Sequence, residues 1–145
     1  MNFLDRWRGP LLSVLRIVTA LLFVAHGTSK LFAFPGLAPM MTGPVPPLSF
    51  MGVAGLLELV GGLLVLIGLF TRPVAFLLSG EMAIGYWLVH ASKSIYPSIN
   101  MGDAAILFCF VFLYIAAAGP GPWSLDASRR GPRLSTGGSA TETLQ

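Results

Sequence analysis

The chain alternates long apolar runs with short polar or proline-bearing intervals. Four runs, residues 11–34, 48–70, 73–91 and 101–118, come close to the ~20 residues that an α-helix needs to cross bilayer hydrocarbon. Their limits carry breakers. Pro35-Gly36 ends the first run, and Pro44, Pro46 and Pro47 precede the second. Arg72-Pro73 parts the second from the third, Pro97 precedes the fourth, and Gly119-Pro120-Gly121-Pro122 follows it. Hydrocarbon offers no water to unpaired backbone groups, so such spans must be helical. Short connections make sequential helices antiparallel. The pattern predicts an all-α polytopic membrane protein with four transmembrane helices in an antiparallel bundle. Residues 1–10 then form a cytoplasmic N-terminal segment and 11–123 the transmembrane domain. Residues 124–145, rich in Gly, Ser and Thr, form a cytoplasmic tail that is expected to be disordered.

Composition sharpens this picture. Of 145 residues, 54% are hydrophobic and 10% charged, with mean hydropathy +0.77. Soluble domains carry about 25% charged residues, too many for this chain to supply. The net charge of +3 comes mostly from the ends, from Arg6, Arg8, Arg129, Arg130 and Arg133. With Arg72 in the second turn, these predict both termini on the cytoplasmic side, while the opposite loops hold Lys30 and Lys93. The charge therefore marks orientation in lipid and gives no reason to expect a nucleic-acid partner. Trp7 and Trp123 belong at the inner interface. Arg6 and Arg8 before Ile17–Ala25 imitate a signal peptide, but Arg16 interrupts it and Phe23 is bulky near the only suitable cleavage point. The lone Cys109 excludes an internal disulfide and a C-x-x-C redox pair.

The first run contains a conflict. His26 and Lys30 are costly in hydrocarbon, yet with Arg16, Thr19 and Phe23 they follow a 3, 4, 3, 4 spacing. On a helix this is one continuous stripe, and intramembrane ionisable groups rarely face lipid. Gly55, Glu58 and Gly62 make a partner stripe on the second run, because small residues let helices approach closely. The third run offers Glu81 beside Gly85, and the fourth offers Asn100, Asp103 and Tyr114. At 1.5 Å rise per residue, His26 and Glu58 both fall ~21 Å from the inner boundary, Arg16 and Tyr114 ~6 Å and Glu81 ~10 Å. Depth thus predicts three rungs: Arg16 with Glu81 and Tyr114, His26 with Glu58, and Lys30 with Asp103. Each residue also has a plainer role. Lys30 and Arg16 can snorkel to head groups, Asp103 can sit on a helix dipole, and Glu58 can fix packing. His90 lies nine residues beyond Glu81, on the opposite face of a regular helix, and is expected at the interface.

Several stretches together carry a resemblance: "LRIVTALLFVAHGTSKLF", "GLLELVGGLLVLIGLFTRPVA", "NMGDAAILF" and "GPGPWSLDA". In these the chain resembles the DoxX family of small bacterial membrane proteins, over residues Leu15 to Ala127. The resemblance implies four helices in the bacterial inner (plasma) membrane. It also implies membership in, or partnership with, a redox complex, since the family takes its name from a membrane subunit of thiosulfate:quinone oxidoreductase. His26, Lys30 and Glu58 match its recurrent polar positions, without a catalytic role to transfer. Any enzyme activity would belong to a complex with other protein subunits or to a homo-oligomer.

Quinone is the cofactor that the stripe would suit, with His26 and Lys30 donating to a carbonyl, Phe23 packing on the ring and Glu58 relaying a proton. Haem b through His26 and His90 is disfavoured, because their side chains are expected to point apart. A small ion or proton transport subunit and a non-catalytic scaffold using the basic "SRRGPR" are the alternatives. The sequence holds no convincing metal cluster, phosphate loop or Ser-His-Asp set.

Overall fold

The computed structural model describes residues 3–37 and 41–129. A 3-10 turn, Phe3–Trp7, leads into α1, Arg8–Phe32, which is followed by α2, Phe50–Ile67, and α3, Thr71–Gly85. A π-helical turn, Tyr86–His90, extends α3; then come α4, Pro97–Asn100, α5, Asp103–Ala118, and α6, Leu125–Arg129. All regular structure among the described residues is helical. The 3-10 turn with α1, and α2, are long and apolar enough to cross a membrane, while α5 is apolar but shorter.

Local chemistry sets the ends. Ser49 Oγ accepts the amide of Gly52 at 3.1 Å, capping the start of α2. Gly68, at φ +71°, ends that helix in the left-handed region where glycine carries no Cβ penalty. Pro97 opens α4 at a position whose amide would lack a helical partner. Helix α1 begins at Arg8, within the segment assigned to residues 1–10, because nothing before Gly9-Pro10 stops it and proline is tolerated in the first turn.

Helix α1 packs along α2 and α3 along α5, with shorter contacts joining α2 to α3 and α1 to α5. The first pairing is very close. A Cβ on Gly27 would lie 2.7 Å from the amide nitrogen of Leu59 and 2.8 Å from the carbonyl oxygen of Gly55, so only glycine fits there. Between the two pairs lies a core of Ala20, Phe23, Val65, Ala75, Leu78, Met82, Phe112 and Ile115. Phe23 meets Phe112 edge to face at 4.7 Å and Phe108 at 5.1 Å, a geometry favoured by the ring quadrupoles.

The end of the molecule where α2 turns into α3 is closed by arginines bound to carbonyls. Arg16 is fully buried. Its Nε donates to Pro120 O at 2.7 Å, Nη1 to Val65 O and Leu66 O at 2.5 Å each, and Nη2 to Trp123 O. The expected Arg16–Glu81 rung is therefore corrected: the planar guanidinium spends its donors on the orphan carbonyls ending α2 and on the chain after α5. Tyr114 does not join it either, since its side chain faces outward and is 57% exposed. Arg72 repeats the device on α5, donating to Ala116 O at 2.8 Å and Ala117 O at 2.5 Å.

Residues 124–129, assigned to the tail, instead fold back against this end. Asp126 accepts the amides of Phe70 at 3.0 Å and Thr71 at 2.8 Å, capping α3. Ser13 Oγ accepts the amide of Trp123 at 3.2 Å. The stretch "GPGPWSLDA" is thus a latch across three helix ends. The remainder of the tail, with Arg130 and Arg133, lies outside the described residues.

Replacing Arg16 by Met strands four carbonyl contacts and should lower stability by roughly 3–5 kcal/mol. Asp126→Ala should cost about 1–2 kcal/mol. Denaturation of the purified variants in one detergent measures both, and Arg16→Lys should recover only part of the loss because an ammonium cannot form the fork.

Candidate functional site

Away from the latch, α2 and α3 diverge from their shared turn, and a cavity of about 1120 Å³ opens between the two helix pairs. Phe50, Val53, Ala54 and Leu57 of α2 form one wall. Phe76, Leu77, Gly80 and Ile84 of α3 form the other, and Ala104, Ala105 and Phe108 of α5 close part of the base. Five titratable side chains also line it: His26, Lys30, Glu58, Glu81 and His90. An apolar cavity with a few convergent polar groups is the ordinary form of a small-molecule site.

Lys30 and Glu58 form a hydrogen-bonded ion pair between α1 and α2. Glu58 is 2% exposed and central in α2. Two corrections follow. Lys30 takes Glu58 in place of Asp103, which stands exposed at the start of α5. His26, expected to bond Glu58, uses Nδ1 to donate to its own helix at Leu22 O, 2.8 Å away, and sets its ring edge-on to Phe108 at 5.4 Å. The reason is reach. A helical side chain leans toward its helix N-terminus, so the four-carbon stem of Lys30 comes down about a turn to the level of Glu58.

Glu81 stands across the cavity on α3. Both its oxygens are buried and lack a hydrogen-bond partner among the described residues, as does Glu58 Oε2. The charges of Glu58 and Lys30 both act on Glu81. Phe23 is 1% exposed and locked in the aromatic core, so it forms floor rather than a free stacking face. Asn100 is buried but structural, accepting the Gly102 amide at 2.7 Å and donating to Ser94 O at 2.8 Å.

His90, expected at the interface, lines the cavity and bonds Asn100 O through Nδ1 at 2.9 Å. The π-helical turn that carries it rotates its face away from that of a regular helix. No run of letters signals that turn. The cavity itself was equally hidden, since its walls come from apolar positions that look lipid-facing in a single helix. Among the described residues, no three His, Cys, Asp or Glu side chains are grouped to hold a metal ion.

A helical membrane protein with a polar-floored cavity between two helix pairs is the class this architecture defines. The DoxX family model matches residues 11–91, and the chain belongs to that family. It is 40% identical over 129 residues to an uncharacterized protein of Haemophilus influenzae, covering 87% of this chain and 96% of the relative. It is 31% identical over 128 residues to inner membrane protein YphA of Escherichia coli, covering 82% and 90%. Inner membrane protein YqjF of the same organism is 29% identical over 113 residues, covering 78% and 87%. No solved structure matches the chain significantly.

Lys30→Met leaves the Glu58 carboxylate buried without its partner and should destabilise the protein by about 3–5 kcal/mol. Adding Glu58→Leu should restore much of that, because a well-packed apolar pair needs no compensation in this setting. A double-mutant cycle of detergent melting measures the coupling.

Proposed function

We propose that the protein crosses the bacterial inner membrane four times with both termini cytoplasmic, and that it binds a lipophilic molecule in the cavity between its helix pairs. Such a site belongs to a membrane subunit or partner of a redox complex, with quinone as the ligand class. The observation that carries this is the coincidence of a large apolar cavity with the Lys30–Glu58 pair and Glu81 at its base. Membrane lipids surround the protein, so a ligand dissolved in the bilayer need not cross water to reach an opening between α2 and α3.

Orientation is supported by Arg6, Arg8 and Arg72, which gather at the latched end. Helix α3 with its π-helical turn and α5 supply the third and fourth crossings. At ~1.5 Å per residue the first is ~30 Å long and α5 ~24 Å, enough to span most of the hydrocarbon. The inner membrane proteins YphA and YqjF support the location. Other protein subunits or a second copy of the chain complete the redox assembly.

Two measurements test this. Cysteine labelling from each side of inverted and right-side-out vesicles should place residues near Arg72 and both termini together, with the 91–97 loop opposite. A decyl-chain quinone added to the protein in nanodiscs should bind saturably, and Gly80→Leu, which fills the cavity wall, should weaken binding about tenfold. Binding that is unsaturable, or indifferent to Gly80→Leu, would remove the ligand site from this cavity.

A further inference from the structure

At the latched end a smaller pocket of about 300 Å³ opens beside the start of α3. Phe70, Pro73 and Pro120 give it apolar walls, and Arg72, Arg129 and Asp126 are its charged groups. A guanidinium carries five N–H donors. Arg72 spends Nη1 on Ala116 O and Ala117 O, and Nη2 reaches Ala118 O at 3.4 Å. Its Nε–H and the other Nη2–H, which share one edge of the group, bond nothing among the described residues. That edge suits two oxygens of a phosphate at once. It is also held in place. The carbonyls of α5 fix the opposite edge, and Gly119 lies so near that a Cβ there would stand 3.0 Å from Nη2. The Arg129 side chain is exposed and uncommitted among the described residues. Asp126 does not cancel these charges. Both its oxygens accept amides of the α3 cap, and its charge also acts on buried Arg16, so three guanidinium groups surround one carboxylate.

We propose that this pocket binds the phosphodiester head group of an anionic phospholipid, with Arg72 and Arg129 as its two grips. The apolar rim favours a lipid over a soluble anion. Phe70 is 58% exposed beside the charges, and Phe76, one turn beyond Pro73 on α3, is 67% exposed. The acyl chains run past Pro73 toward Phe76, and the phosphate stays at the polar boundary. The cytoplasmic leaflet is the one whose surface is negatively charged, which matches the orientation proposed above. Arg72 belongs to α3 and Arg129 to α6, so the bound lipid ties the latch to the helix that it caps. The cavity ligand plays no part in this site.

Dioleoylphosphatidylglycerol and dioleoylphosphatidylcholine, each titrated into the purified protein in neutral detergent and counted by native mass spectrometry, test the proposal. The wild type should hold one phosphatidylglycerol about tenfold more tightly than phosphatidylcholine. Arg129→Gln should bring the two affinities within about twofold, and Arg129→Lys should recover part of the difference. Arg6→Gln removes an exposed charge from the same end but outside the pocket, and should leave the preference in place. Lipid-free melting of Arg129→Gln should match the wild type, because that side chain makes no contact that holds the fold. Equal wild-type affinities for the two lipids would overturn the proposal. Equal losses from Arg129→Gln and Arg6→Gln would also overturn it, by reducing the preference to the general charge of this end. Inorganic phosphate that binds as tightly as phosphatidylglycerol would show a soluble anion to be the occupant and would overturn the lipid assignment. Selectivity that persists while vesicle labelling puts this end outside would uphold the site and remove only the orientation.

Discussion

Arg16 holds this molecule together at one end by hydrogen bonds to backbone carbonyls. Its donors reach backbone oxygens at the end of α2 and those of Pro120 and Trp123. A helix that stops inside protein leaves its last carbonyls unpaired, and lipid supplies no water to satisfy them. A guanidinium solves that problem for several carbonyls at once, because its planar fork presents five donors in fixed directions. Arg72 does the same for α5, and Asp126 supplies the opposite charge at the start of α3. Together these contacts bind the α2–α3 turn to the chain after α5.

Closure at one end leaves freedom at the other. Helices α2 and α3 share a tight turn and separate beyond it, and α1 with α2 and α3 with α5 are the closely packed pairs. The space between the pairs becomes the cavity. Its base holds a satisfied ion pair, Lys30 with Glu58, beside an unsatisfied carboxyl, Glu81. The first joins α1 to α2 where glycine already brings the backbones close. The second makes no hydrogen bond among the described residues that would help packing.

Much of the helical framework could be read from the letters. The 3, 4, 3, 4 stripe on α1 marks its inward face over Arg16, Thr19 and Phe23, which are buried, while Lys30 is half-buried and His26 exposed. The Gly55–Glu58–Gly62 stripe likewise lies in the buried face of α2. The rungs drawn from depth were less informative. Counting residues gives a height along the helix axis but neither the side chain's reach nor its direction around the axis. Height matches Arg16 with Glu81, yet backbone carbonyls claim Arg16, while Lys30 reaches down to Glu58 from a turn above. Asp126 was hidden for another reason: in sequence it sits in a polar stretch that resembles a solvated tail.

The sequence alone determined that the chain is helical, that it belongs in a membrane, and which face of α1 and α2 turns inward. Apolar length and helical period are properties of a segment by itself, so they survive without knowledge of the neighbours. Tertiary structure decided which polar groups meet, that the latch folds over three helix ends, and that a π-helical turn brings His90 to the cavity. It also decided that a cavity exists, because a void is bounded by residues from separate helices and no single segment encodes the distance between them.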